Sequence, residues 1–169
     1  MNQTTHLRRA RIWLKVFIAG LVLSGLTAFP LETELQWLVP VLRKGLFHIP
    51  AQSIGFLPWI ERVSNALSVT NAQYPFLAYG TDWLAFAHLA IAVAFIGPLI
   101  DPVRNKWIIT FGLIACAGVP PLALIAGQIR GIPIAWRLVD CSFGVLGCVP
   151  LIISMRSVIV LERLRTFKE

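Results

Sequence analysis

Arg130–Cys148 reads RGIPIAWRLVDCSFGVLGC. Gly131 and Pro133 make its start a turn, and from Trp136 onward it is apolar enough for a lipid solvent. Arg137 and Asp140 stand at its mouth. On a wheel of 100° per residue Arg137, Asp140, Cys141, Gly144, Gly147, Cys148 and Leu151 fall within about a third of the circumference. Polar groups occupy the outer end of this stripe and small residues lie below. Inside a membrane, small and polar residues turn toward other helices rather than toward lipid. The stripe therefore predicts an inner face, and an inner face needs further helices around it.

The rest of the chain can supply them. Of 169 residues 57% are hydrophobic and only 14% charged, against about a quarter charged in soluble domains. Mean hydropathy is +0.74, and the apolar residues come in runs. The expected fold is all-α: one polytopic membrane domain over residues 1–169, with four transmembrane helices at about 16–31, 83–100, 107–127 and 136–160. The third span carries no charge and is bent at Pro120–Pro121. Pro150 interrupts the fourth, and Gly97–Pro98 predicts a kink near the end of the second. Asp82 is placed to cap the second span. Gly20, Ser24 and Ala28, repeating every four residues, predict a close helix approach on the first.

Residues 32–81 are too apolar for a solvated loop and too broken to cross a bilayer. Pro40, Pro50 and Pro58 interrupt them, and Arg43, Lys44 and His48 sit mid-stretch. The pattern predicts short amphipathic helices. One covers 31–47 and bends at Pro40. Another starts at Pro58 with Trp59, Ile60, Val63 and Leu67 on one face, followed by a turn-rich link over 71–80. The start of the chain, with Arg8, Arg9, Arg11 and Lys15 before VFIAGLVLSGL, has the outline of a signal peptide. Its small-x-small match near Ala28 is poor, so the reading is a retained first span.

Charge sets the expected orientation. Ten Lys and Arg residues flank the two termini and the 101–106 turn, against five (Arg43, Lys44, Arg62, Arg130, Arg137) on the other side. The positive-inside rule then puts both termini in the cytoplasm and the long loop outside. The same distribution argues against nucleic acid as a partner, because the net charge of +7 flanks apolar runs and forms no basic face. Cys116, Cys141 and Cys148 have no CxxC spacing and read as buried thiols. Cys116 and Cys148 share a depth of ~15 Å in their spans.

Depth also gathers a candidate site near the outer interface. Asp82, Asp140, Glu32 and Glu34 belong there with Arg130 and Arg137, and His88 lies ~9 Å below Asp82. Ionisable groups at that depth are functional candidates. His88, Asp140 and Asp82 are the acid–base candidates. Arg137, Arg130 and Glu32 are the ligand-binding candidates. A plainer account has Arg137 and Asp140 neutralising each other at i, i+3, Asp82 as a cap, and His88 bonded to a backbone carbonyl. No metal-ligand set, haem-type histidine pair, phosphate loop or hydrolase motif is present, and no cofactor is implied. Three functions fit: a subunit or binding component of a membrane assembly, an enzyme acting on a lipid or isoprenoid-like substrate through His88 and a carboxylate, and a dimeric carrier. The partners expected are the bilayer and either other membrane proteins or a second copy.

Overall fold

The computed structural model describes residues 3–44 and 48–166, and among them every regular element is helical. The helices are α1 (Gln3–Ala28), α2 (Leu31–Lys44), α3 (His48–Ser53), α4 (Phe56–Gln73), α5 (Tyr79–Ala94), α6 (Ile96–Ile100), α7 (Lys106–Ile129) and α8 (Ile134–Thr166), with a 3₁₀ turn at Pro75–Ala78 before α5. Four segments are long and apolar enough to cross a membrane: Gln3–Ala28, Pro75–Ile100, Lys106–Ile129 and Ile134–Arg165.

Several boundaries differ from expectation for identifiable reasons. Helix α1 begins at Gln3, well before residue 16. Ala10 and Leu14 are fully buried, whereas Arg8, Arg9, Arg11 and Lys15 are exposed. An apolar stripe therefore runs beneath the basic residues and keeps that stretch helical. Helix α4 continues to Gln73, which leaves only a short 3₁₀ link where 71–80 was expected to turn. Helix α5 starts at Tyr79. Asp82 lies inside its first turn, and the cap position is Ala78, without a side-chain bond. The kink expected at Gly97–Pro98 falls at Phe95: Pro98 has no N–H for the carbonyl four residues back, so the helix breaks between α5 and α6. Predicted helical residues 45–47 lie outside the described residues.

The expected third span ended at Gly127, with a turn over 127–133; α7 runs on to Ile129, and the turn follows within the expected stretch. Gly131 adopts φ 68°, its N–H donates to the Gln128 carbonyl (3.2 Å), and the Ile132 N–H donates to the Gly127 carbonyl (2.9 Å). These paired bonds satisfy the last carbonyls of the helix, and only glycine adopts that φ without strain.

The long helices pack in the order α5–α1–α8–α7, with α1 between α5 and α8 and α8 between α1 and α7. Their apolar core is concentrated toward one end. Ala10, Leu14, Phe95, Ile109, Leu151 and Val158 are fully buried there. Phe95 closes this layer. Its ring lies 4.7 Å from that of Phe17 and fills a notch left by Gly112, where a Cβ would come within 2.7 Å of the ring. Below the layer, a set of polar bonds latches the end. Arg11 donates to the carbonyls of Leu99 (3.0 Å) and Ile100 (2.8 Å). Arg165 pairs with Asp101 at 3.4 Å and Lys106 with Glu162 at 2.6 Å. Ser154 Oγ donates to the Ala10 carbonyl.

At the opposite end α2, α3 and α4 form a roof with its own core of Leu35, Leu42, Ala51, Leu57 and Ile60. One end of this hairpin joins α1 and α5. Its tip reaches the start of α8, where Phe56 stacks on Trp136 at 5.3 Å. Helix α4, ~27 Å long at 1.5 Å per residue, thus runs from the α8 corner to the start of α5.

Close approach on α1 occurs at Gly25, and Gly20 of the expected repeat takes no part in it. A Cβ on Gly25 would meet the Ala85 carbonyl oxygen at 3.0 Å, while Gly20 has nothing within 4 Å.

Candidate functional site

Between the closing Phe95 layer and the roof, the inner stripes of the helices change from bulky to small and polar. Ser24 lies two turns beyond Phe17 on α1. His88 lies two turns before Phe95 on α5, and Asp140 three turns before Leu151 on α8. Each is within about 20° of that core residue on the helical wheel. Their levels also agree. Phe17 meets Phe95, and Gly25 meets Ala85 and Leu89, which sets Ser24 level with His88. Ala10 meets Ser154, and Phe17 approaches Gly147, which sets Ser24 level with Asp140. One hydroxyl, one imidazole and one carboxylate therefore occupy one layer of the bundle, on three helices.

All three side chains are partly exposed. His88 Nδ1 lies 2.8 Å from the Leu84 carbonyl oxygen of its own helix. That contact takes up one ring nitrogen and leaves Nε2 without a partner among the described residues. Asp140 has no hydrogen bond or ion pair among the described residues. The spacing that allowed Arg137 to neutralise it is not used. Arg137 turns instead to α7, where its stem lies on Gly127: a Cβ there would come within 2.5 Å of Arg137 Cδ. Nη1 of Arg137 donates to the Leu124 carbonyl at 3.3 Å, and its Nε is buried without a partner among the described residues. Arg130 sits exposed at the C-cap of α7. The two arginines thus belong to the α7–α8 corner rather than to the layer of His88 and Asp140.

Glu32 and Asp82 meet in a second place, a recess of about 190 Å³ under the roof, shared with Thr33, Asn71 and Thr81. Oε1 of Glu32 accepts from Ser68 (2.7 Å) and Gln36 (3.1 Å), and Oε2 accepts from Asn71 (2.6 Å). The Ser68 and Asn71 bonds hold its carboxyl below the usual carboxylate range. Asp101 at the latch end is also held low, first by the Arg104 N–H and further by Arg165. Glu34 is exposed in the first turn of α2.

Between α7 and α8 the thiols of Cys116 and Cys148 lie side by side, a contact that their shared depth allows. Pro120 explains the tight fit here. It cannot donate to the Cys116 carbonyl four residues back, and Gly144 packs directly against that carbonyl oxygen. Cys141 points to the Pro120 carbonyl at 4.0 Å. Among the described residues no group of three or more His, Cys, Asp or Glu side chains is arranged to hold a metal ion.

Sequence reasoning named His88, Asp140, Glu32 and Asp82 as candidates. It read Ser24 only as a packing residue, because its place in the polar layer depends on how α1 registers against α5 and α8. Compared with known proteins, the chain matches no family model, no curated protein and no solved structure.

Proposed function

We propose that this chain is an integral membrane protein with both termini in the cytoplasm and the roof outside, acting as a subunit or binding component of a membrane assembly. The observation that carries the reading is a pair of acids without partners. Asp101, Glu162 and Glu61 are each paired with a cation, and Glu32 is held by three hydrogen bonds. Asp82 and Asp140, on two of the long helices, have neither a hydrogen bond nor a cation from the described residues. Unpartnered acids on apolar helices are costly unless another molecule engages them. Isolation in mild detergent tests the reading: a partner protein in fixed stoichiometry is expected, and a bare monomer without partner or ligand would refute it.

Orientation has its own test. Asn65 is exposed on α4, and Arg104 is exposed in the 101–105 turn. Arg104 serves better than Asn105, whose side chain donates to the Gly97 and Asp101 carbonyls. In a Cys-free background, an impermeant thiol reagent added outside is expected to label Asn65→Cys and spare Arg104→Cys. The reverse pattern would overturn the orientation.

A membrane enzyme is the second reading: His88 Nδ1 meets the Leu84 carbonyl, as the plainer account expects, but Nε2 has no partner among the described residues. A ring nitrogen held in this way orients the imidazole and leaves Nε2 for proton transfer. Under that reading His88→Gln abolishes turnover while the protein keeps its stability.

A further inference from the structure

We infer that the Ser24–His88–Asp140 layer is a binding site for a long-chain amine, entered sideways from the bilayer between α5 and α7. The inference rests on the membrane reading above and names the ligand class for one of its sites.

Three observations converge on it. The first is access. Helices α5 and α7 do not pack along one another. They are joined through Phe95, which seats in the Gly112 notch, and through α6. Beyond that plug, toward the roof, the flank between them is unsealed by helix packing. The α1–α5, α1–α8 and α7–α8 flanks are each closed by extended packing. The second is polarity. On the stripes that continue past the plug, His88 Nε2, the Asp140 carboxylate and the Ser24 hydroxyl have no hydrogen-bond partner among the described residues, although all three side chains are partly accessible. The third is sign. Asp140 is the charged member of the layer. The nearest cation along its own helix, Arg137, is committed to α7 through Gly127 and Leu124. An ammonium group supplies the missing charge at Asp140, and the Ser24 hydroxyl and an unprotonated His88 Nε2 are the other acceptors at the same level. Its chain then lies against the apolar flank, as a lipid tail does. A carboxylate or phosphate head would face Asp140 as a like charge.

The test uses the full chain in phosphatidylcholine nanodiscs and three photoprobes that share one hexadecyl chain. Their heads are an amine, an alcohol and a carboxylate, and each carries a diazirine beside the head. The amine is expected to label peptides covering residues 21–28, 84–92 and 137–144, and non-photoactive hexadecylamine is expected to compete the label away. Asp140→Asn should lower the competable labelling by about tenfold or more, because a charge-assisted bond is lost. Ser24→Leu, which fills the layer without touching a charge, should do the same. Leu122→Ala, on the outer face of α7, should leave it unchanged. Thermal unfolding and monodispersity show which variants are folded, and Ser24→Leu serves if Asp140→Asn is not. The inference is overturned if the carboxylate probe labels as well as the amine, or if labelling is not competable and spreads over the exposed face of α7. It is also overturned if the folded variants label like wild type. A copurifying partner protein without competable amine labelling would remove this inference and leave the membrane-assembly reading standing.

Discussion

Replacing Gly144 by alanine tests the packing that holds α7 to α8. A Cβ at that position would lie 2.5 Å from the Cys116 carbonyl oxygen, 2.9 Å from Val119 Cβ and 3.2 Å from Pro120 Cδ. Ordinary contact begins near 3.4 Å, so the carbonyl would have to retreat by about 0.9 Å, the difference between the two distances. That oxygen is backbone, in a helix already fixed by two prolines, and no rotamer change can move it. Overpacking of this kind costs ~2–3 kcal/mol. The better helix propensity of alanine returns up to ~1 kcal/mol, leaving a net loss of ~1–2 kcal/mol. Two other glycines on α7 calibrate the result. Gly118 has nothing within 4 Å, so Gly118→Ala should gain ~0.5–1 kcal/mol. At Gly127 the obstruction is the flexible Arg137 stem, which can swing aside, and the expected loss is below ~1 kcal/mol. Reversible unfolding in mixed micelles, followed by tryptophan fluorescence, measures all three. The reasoning fails if Gly144→Ala is as stable as wild type, or if Gly118→Ala is destabilised as much as Gly144→Ala.

Phe95→Ala should be the most damaging single core change, at ~3–5 kcal/mol, because it empties the Gly112 notch and removes the contact with Phe17. A loss under ~1 kcal/mol in the same unfolding assay would show that the plug is not needed to join the helices. Arg137→Gln and Asp140→Asn should be additive in stability to within ~0.5 kcal/mol, since the two side chains do not pair, and a larger coupling in the double variant would show that they do. Glu32 is bonded in its ionised form, which lowers its folded pKa, so its contribution is complete above its ordinary value of 4.5 and is lost as pH falls through the lowered one. Glu32→Gln should therefore lose part of the acid sensitivity of unfolding, and an acid limb identical to wild type would contradict the Ser68 and Asn71 bonds.

The four apolar helices, the prolines that interrupt them and the Gly131 turn are legible in the sequence because each depends on a local rule. Apolar runs predict length, a missing N–H predicts a break, and a positive φ calls for glycine. The start of α1 was hidden because the charges of its first four turns outweigh, in a simple run count, the apolar stripe that binds it to α8. The close approach on α1 was read from the Gly20–Ser24–Ala28 repeat, and Gly25 was missed, because a repeat of four identifies a face without saying which neighbour it meets. Arg137 and Asp140 show the same limit at the site. Spacing brought them within reach of each other, but the space left by Gly127 decided where the guanidinium went. Ser24 was recognisable as small and polar, and only the registers of α1 against two partners made it a member of a layer.

The helix order has a consequence for biosynthesis. Of the four long helices α1 is made first, and it ends up wedged between α5 and α8, the last of the four to be made. Its contact with α5, through Gly25 and Phe17, is available as soon as residues 79–95 have been made, but its other side stays unoccupied until α8 emerges. Helices α7 and α8 meet as neighbours in sequence across a tight turn. The natural assembly units are therefore two halves, residues 1–100 and 101–169, each able to pair its own helices before the halves dock along α1 and α8. During that interval the Ala10 and Leu14 face of α1 is bare, and a chaperone or a second copy of the chain has its only opportunity to occupy the place that α8 will take.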